Sequence, residues 1–165
     1  MTQLEIMGAN AKNASVFLRT AGSKKDDALL AIAKALREHS DEIIKANEID
    51  IENGKNAGLT ESLLDRLRLT PERINGMAEG VEQVAALADP IGNVLEGRTL
   101  KNGLNIEKVR VPMGVIGIIF EARPNVTFDV FSLCFRSGNV CVLKGGSDAD
   151  FSNRALVRII HSVLE

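Results

Sequence analysis

Two short polar runs carry the residue types that meet ligands: Glu121-Ala122-Arg123-Pro124-Asn125 and Lys144-Gly145-Gly146-Ser147. An ammonium such as Lys144 pairs with a phosphate or bonds a ribose hydroxyl. The opposing reading is a solvated lysine beside a turn. Gly145 and Gly146 let a ligand approach the backbone closely. Asn125 also has two readings. It is either a helix cap that accepts a free backbone N–H, or an amide that polarises a reacting carbonyl oxygen. Other chemistry is sparse. Cys134 and Cys141 both lie in apolar runs, where buried free thiols in a reducing cytosol are expected. His39 and His161 are far apart with no partner at ligand spacing, so no metal site is expected. There is no Walker loop and no nucleophile elbow.

The elements that must position these residues follow from periodicity. Val115 to Phe120 is a short apolar run rich in β-branched residues and reads as a strand buried on both faces. Val126 to Ser137 carries Val126, Val130, Leu133 and Cys134 at helical spacing. Asn125 stands at its start, and Gly138 where the chain must turn left-handed. Val140 to Leu143 is a second buried strand. Strand, helix, strand predicts a βαβ unit with parallel strands and a right-handed crossover. Ligands of such sheets sit beyond the carboxyl ends of the strands, where both polar runs fall. Ser147-Asp148 then predicts the cap of a last helix with the stripe Phe151, Ala155, Leu156, Ile159, Ile160 and Val163. A third parallel strand is expected beyond it, so the sheet reads as unfinished.

Residues 1–90 read as a helical lead-in. Thr2 with Glu5 has capping-box spacing, and Leu4, Met7, Ala11, Ala14 and Leu18 form a stripe. Gly22 breaks it. Ser23 with Asp26 starts a second helix through Leu29, Leu30, Ala33 and Leu36. Ser40 starts a third through Ile43, Ile44 and Ile51, ending near Asn53-Gly54. Thr60 starts a short helix with Leu63, Leu64 and Leu67. Thr70-Pro71 starts the last one, through Ile74, Met77, Val81, Val84 and Ala88 to Asp89-Pro90. Residues 91–111 change to period two around Lys101-Asn102-Gly103, the strongest short hairpin signal. Two strands alone are marginal in water, so the hairpin is expected to find a packing partner. Residues 112–165 hold the strands and helices of the two polar runs. The fold class is thus α/β: amino-terminal helices, a protruding hairpin, and the first βαβα of an incomplete Rossmann-like parallel sheet.

Composition narrows the partners. The 165 residues are 45% hydrophobic and 25% charged, with a net charge of -2 and no Trp or Tyr. Nothing here favours nucleic acid, and no apolar run is long enough to span a membrane. The amino terminus is acidic and amphipathic, unlike a signal peptide, so a cytoplasmic location is expected.

GVIGIIFEARPNVT followed by SGNVCVLKGG resembles the γ-glutamyl phosphate reductases of the aldehyde dehydrogenase superfamily. These are also called glutamate-5-semialdehyde dehydrogenases, and they act in proline biosynthesis. EARPNVT is fairly specific to them, whereas Gly-Asn, a strand and Lys is general to the superfamily. The resemblance runs along the whole chain but covers well under half of such an enzyme. It implies an amino-terminal portion that lacks the cysteine nucleophile and is inactive alone. In the family, that thiolate attacks the acyl phosphate, phosphate leaves, and NADPH reduces the thioester to the semialdehyde.

The resemblance also implies roles. Lys144 bonds the adenosine ribose, beside Gly145 and Gly146. Ser147 stands where NAD-preferring relatives often carry a glutamate, which favours NADP, bound weakly or not at all by this chain alone. Glu121 and Ala122 lie near the nicotinamide, with Glu121 a neighbour of Arg123 or a cofactor contact. In most aldehyde dehydrogenases the oxyanion-binding asparagine sits in a Trp-Asn-Phe-Pro turn, and an ungapped match puts Arg123 there rather than Asn125. Arg123 offers its planar fork to the acyl phosphate or the substrate carboxylate. The hairpin implies a homo-oligomer, and glutamate 5-kinase is the implied partner enzyme. The competing reading is a non-catalytic interaction module with an aldehyde-dehydrogenase-like fold that oligomerises through the hairpin.

Overall fold

The computed structural model describes residues 1–165. In chain order it has α1 (Gln3–Leu18), α2 (Lys24–Glu38), α3 (Ser40–Asn56), α4 (Glu61–Leu67) and α5 (Pro71–Ala85). Then follow β1 (Val94–Thr99), β2 (Asn105–Val109), β3 (Val115–Ile119), α6 (Val126–Arg136), β4 (Val140–Lys144) and α7 (Asp150–Leu164). A single 3-10 turn, Ser147–Ala149, joins β4 to α7.

Three helix starts are set by local chemistry. Thr2 and Glu5 form a reciprocal capping box on α1. Thr60 accepts from the Leu63 N–H, and Thr70 accepts from the Arg73 N–H ahead of Pro71. Four expected caps are absent. Ser23 and Asn125 already have helical backbone angles, Ser40 is itself helical, and Ser147 lies in the 3-10 turn, so none of their side chains caps. A cap needs extended backbone to aim its oxygen at the first free N–H groups. Asn125 instead donates from Nδ2 to Asp129 Oδ2 at 3.2 Å. Helix α3 runs past Asn53-Gly54 to Asn56, and α5 stops at Ala85, short of Asp89.

One core joins the lead-in to the strand-bearing part. Leu29, Ile32 and Leu36 of α2, Ile43 of α3 and Ile74 and Val81 of α5 cluster with Phe128 and Phe131 of α6 and Leu156 and Ile159 of α7. The α6 stripe differs from expectation: Leu133 is exposed and Val126 and Val130 are half-buried, while Phe128, Phe131 and Cys134 face inward. Phenylalanine buries more apolar area than valine, so the helix is rotated to hide it. Helix α1 is also turned differently. Ala11, Ser15 and Leu18 are buried, whereas Leu4, Met7 and Ala14 are exposed.

Strands β3 and β4 pair in parallel, Val115 opposite Val140 through Ile119 opposite Lys144. Asn139 sets that register. Its Oδ1 accepts from the buried Gly114 N–H at 2.9 Å, and Val140 N–H donates to Gly114 O at 2.9 Å. The expected burial of β3 on both faces is corrected: Ile119 is 86% exposed and Val115 40%, and only Ile116 and Ile118 are half-buried. Successive strand residues alternate, so one side of this two-stranded sheet is covered and the other is open. The hairpin forms as expected. Strands β1 and β2 are antiparallel around Lys101-Asn102-Gly103, with a bulge near Val94 and Gly103 at φ 87. All its strand residues are exposed, and no other helix or strand packs extensively on it. No helix is long and apolar enough to cross a membrane.

Candidate functional site

Parallel pairing places the turn after β3 and the turn after β4 on the same edge. The two turns touch. Phe120 N–H donates to Lys144 O at 3.1 Å, and a Cβ on Gly146 would lie 3.3 Å from the Ala122 nitrogen. The first turns of α6 and α7 are tied by Thr127 Oγ1 donating to Asn153 Oδ1 at 3.0 Å. The rim is therefore one rigid piece made from both polar runs.

It is divided into two concavities. One, of about 530 Å³, is lined by Phe120, Thr127, Lys144, Gly145, Gly146 and the outer face of α7, including Asn153, Arg154, Arg158 and His161. Lys144 is exposed, and its Nζ donates to the Gly145 carbonyl at 2.8 Å. Arg154 pairs with Asp150 at 2.7 Å and Arg158 with Glu42 at 2.9 Å, both near the surface. The other concavity, of about 440 Å³, is lined by Arg123, Asn125 and Asp129 on one side and by the α4–α5 region on the other. That region contributes Asp65, Arg66, Arg68, Leu69, Arg73, Gly76 and Met77.

The candidates from the sequence thus separate. Lys144, Gly145 and Gly146 share the first cavity, while Arg123 and Asn125 share the second. Glu121, Ala122 and Ser147 line neither. Glu121 and Ser147 are exposed, and Ala122 packs on the small cluster of Ile51, Leu64, Leu67 and Ala149. Glu121 and Arg123 meet only through the backbone, where Arg123 N–H donates to Glu121 O at 2.7 Å. Sequence reading missed Arg66, Arg68 and Arg73, whose run Asp65-Arg66-Leu67-Arg68 reads as a solvated helix face. It also missed Arg154 and Arg158, spaced four apart on α7.

The cysteines stay away from both cavities, and both are free. Cys134 of α6 is buried, and Cys141 of β4 is half-buried. The neighbouring Cys141 lowers the Cys134 thiol to about 7 against the opposing effect of burial, and the same pairing together with burial raises Cys141.

Gly145 is small because of its own protein. A Cβ there would run into the Asn153 amide and lie 3.4 Å from Phe120 Cζ. Gly145→Ala is expected to turn Asn153, break its bond from Thr127 and cost about 1–3 kcal/mol through overpacking. Urea unfolding with amide shifts at Thr127 and Asn153 checks this. Unchanged shifts would mean the two turns are not locked together.

A two-stranded parallel rim behind a helical lead-in, with a projecting hairpin, defines a class. A crystal structure of a probable aldehyde dehydrogenase from Listeria monocytogenes superposes with a TM-score of 0.62 at 16% identity, over 93% of this chain and 31% of that one. The chain therefore has the fold of the amino-terminal part of an aldehyde dehydrogenase. Within that class the match is much closer to one enzyme. The crystal structure of γ-glutamyl phosphate reductase from Thermotoga maritima gives a TM-score of 0.96 at 43% identity, over 99% of this chain and 40% of that one. The γ-glutamyl phosphate reductase of Parabacteroides distasonis is 61% identical over 133 residues, which is 81% of this chain and 31% of the relative. In sequence and in fold, residues 1–165 match the amino-terminal portion of γ-glutamyl phosphate reductases. The chain spans less than half the length of these relatives. No family model matches it.

Proposed function

We propose that these residues are the amino-terminal portion of a cytoplasmic, NADPH-dependent reductase that converts γ-glutamyl phosphate to glutamate-5-semialdehyde in proline biosynthesis. One observation carries the reading. The EARPN and KGGS turns are locked into one rim with a concavity on each side. The first concavity suits a phosphorylated nucleotide. Lys144, Arg154 and Arg158 supply cations, and Asp150, its acidic lining residue, is held by Arg154. Lys144 and Ser147 would hold the ribose and its 2′-phosphate, with Gly145 and Gly146 beneath and Glu121 and Ala122 toward the nicotinamide. When bound, NADPH supplies the hydride. In the second concavity, Arg123 offers its planar fork to the acyl phosphate or the substrate carboxylate, and Asn125 contacts the substrate.

Neither Cys134 nor Cys141 lines either concavity; the nucleophile is expected from elsewhere in the enzyme, and residues 1–165 alone are expected to be inactive. The division into 1–90, 91–111 and 112–165 is one of roles, since the first and last share a core. The hairpin, exposed along both strands, joins subunits of a homo-oligomer.

A chimera tests this reading. This chain replaces the segment it matches in the Parabacteroides distasonis relative, and phosphate- and NADP-dependent oxidation of glutamate-5-semialdehyde is measured. Turnover within about tenfold of the parent is expected, equivalent to about 1.4 kcal/mol of barrier. A folded, NADP-binding chimera without turnover would count against it, as would turnover by residues 1–165 alone.

A further inference from the structure

The second concavity holds more positive charge than its own carboxylates neutralise. Four arginines line it, with two aspartates. Arg73 is committed to the protein: it pairs with Asp65 at 2.9 Å and also donates to the carbonyls of Asp65 and Arg68. Asp65 is thereby taken. Arg66, Arg68 and Arg123 are exposed and make no side-chain hydrogen bond and no ion pair. They come from two separate parts of the chain, the end of α4 and the turn before α6, so their convergence is a product of the fold. Three guanidiniums facing one recess repel one another, and an anion between them relieves that repulsion. The guanidinium fork matches a carboxylate in a bidentate way.

Asp129 also lines the recess, and its one side-chain partner is Asn125. Desolvation pushes its carboxyl up, against the bond from Asn125. A cation placed beside it would favour its charged form. Leu69 and Met77, both buried, give the recess an apolar floor suited to methylene groups.

We propose that this recess is an amino-acid headgroup subsite: Arg66, Arg68 and Arg123 take the α-carboxylate, Asp129 takes the α-ammonium, and the methylene chain lies on Leu69 and Met77. The subsite rests on the reductase reading and deepens it, because it fixes which end of the substrate is recognised by the lead-in helices. It also gives the lead-in a part in specificity that the nucleotide cleft lacks.

The test titrates the ¹⁵N-labelled 165-residue chain with L-glutamate, glutarate and inorganic phosphate, following the arginine Nε–H signals. Glutamate is expected to shift Arg66, Arg68 and Arg123 together with one binding constant. Glutarate, lacking the ammonium, should bind more weakly, and phosphate should not compete with glutamate. The paired variant Arg66→Gln with Arg68→Gln should weaken glutamate about tenfold, the loss expected for hydrogen bonds to a charged group. Asp129→Asn should abolish the preference for glutamate over glutarate. All are exposed positions, and a dispersed amide spectrum confirms folding; Arg66→Lys serves in place of any variant that fails.

Phosphate shifting the same arginines while glutamate does not would assign the recess to the phosphate end and overturn the proposal. So would shifts confined to Arg154 and Arg158, or none at all. An active chimera with unresponsive arginines removes the subsite and leaves the reductase reading standing; responsive arginines in an inactive chimera do the reverse.

Discussion

Asp50→Ala is expected to lower the stability of the chain by about 3 kcal/mol, the cost of stranding several buried polar groups at once. Asp50 sits on α3 and is 2% exposed. Its carboxylate accepts from the Phe151 N–H at 3.2 Å, the Ser152 N–H at 2.7 Å and the Ser152 hydroxyl at 2.6 Å. It is therefore the cap of α7, supplied from across the fold, and α7 has no side-chain cap of its own. Asn47, one turn earlier, extends the network. It donates to the Leu67 carbonyl and to Ser152 Oγ, and accepts from the Leu69 N–H at 2.8 Å. Alanine removes all three of Asp50's acceptor contacts. At this chain length about 3 kcal/mol is a fall in Tm of roughly 6–12 °C. Asp50→Asn keeps one acceptor oxygen and should lose about half as much. Thermal melts by circular dichroism decide it, and a shift below about 2 °C would show that α7 holds without this cap. The rim should respond too, since only the Ser147–Ala149 3-10 turn separates α7 from Gly145-Gly146, and the amide signals of those glycines should broaden.

The same residues show where sequence reading works and where it stops. Thr2, Thr60 and Thr70 were legible as caps because donor and acceptor are three residues apart and the preceding backbone is extended. Asp50 was not, because its partners lie about a hundred positions away and only packing brings them together. Period and turn chemistry located β3, α6, β4 and the hairpin, yet they could not say which side of β3 would be covered. Alternation within a run of Val and Ile carries no signal when every residue is apolar. The turns EARPN and KGGS could be placed on one edge of the sheet, beyond the strand ends, from topology alone. Their division between two cavities could not, since it depends on where the α4–α5 connection lands. Arg66 illustrates the limit: on a short amphipathic helix, an arginine facing water and one facing a recess have the same spacing.

Lys25→Met should be nearly as damaging, and its cost should depend on pH. Lys25 is 1% exposed at the start of α2. Its Nζ pairs with Asp89 at 2.7 Å and donates to the Arg136 carbonyl at 3.0 Å, near the end of α6. Arg136 in turn pairs with Asp26 and donates to the Leu87 carbonyl. These contacts tie α2, α6 and the segment after α5 to one another. Methionine fills the space but leaves the Arg136 carbonyl without its donor and Asp89 without its ammonium. Breaking a buried ion pair typically costs about 3–5 kcal/mol. Asp89 is 32% exposed and can rehydrate, so about 2–3 kcal/mol is expected here. Burial pushes the Asp89 carboxyl up, but the Lys25 hydrogen bond, the Ile91 N–H and the charges of Lys25 and Arg136 outweigh it, and the group stays below its ordinary value. A carboxyl depressed by folding contributes stability above its unfolded pKa of about 3.9, and that contribution fades as pH falls through the lower folded value. Urea unfolding of both proteins at pH 7 and at about pH 3 should therefore show the gap between them narrowing in acid, as the unfolded chain takes up a proton that ion-paired Asp89 resists. A gap of constant size would mean that Lys25 acts through the Arg136 carbonyl alone and that Asp89 is a bystander.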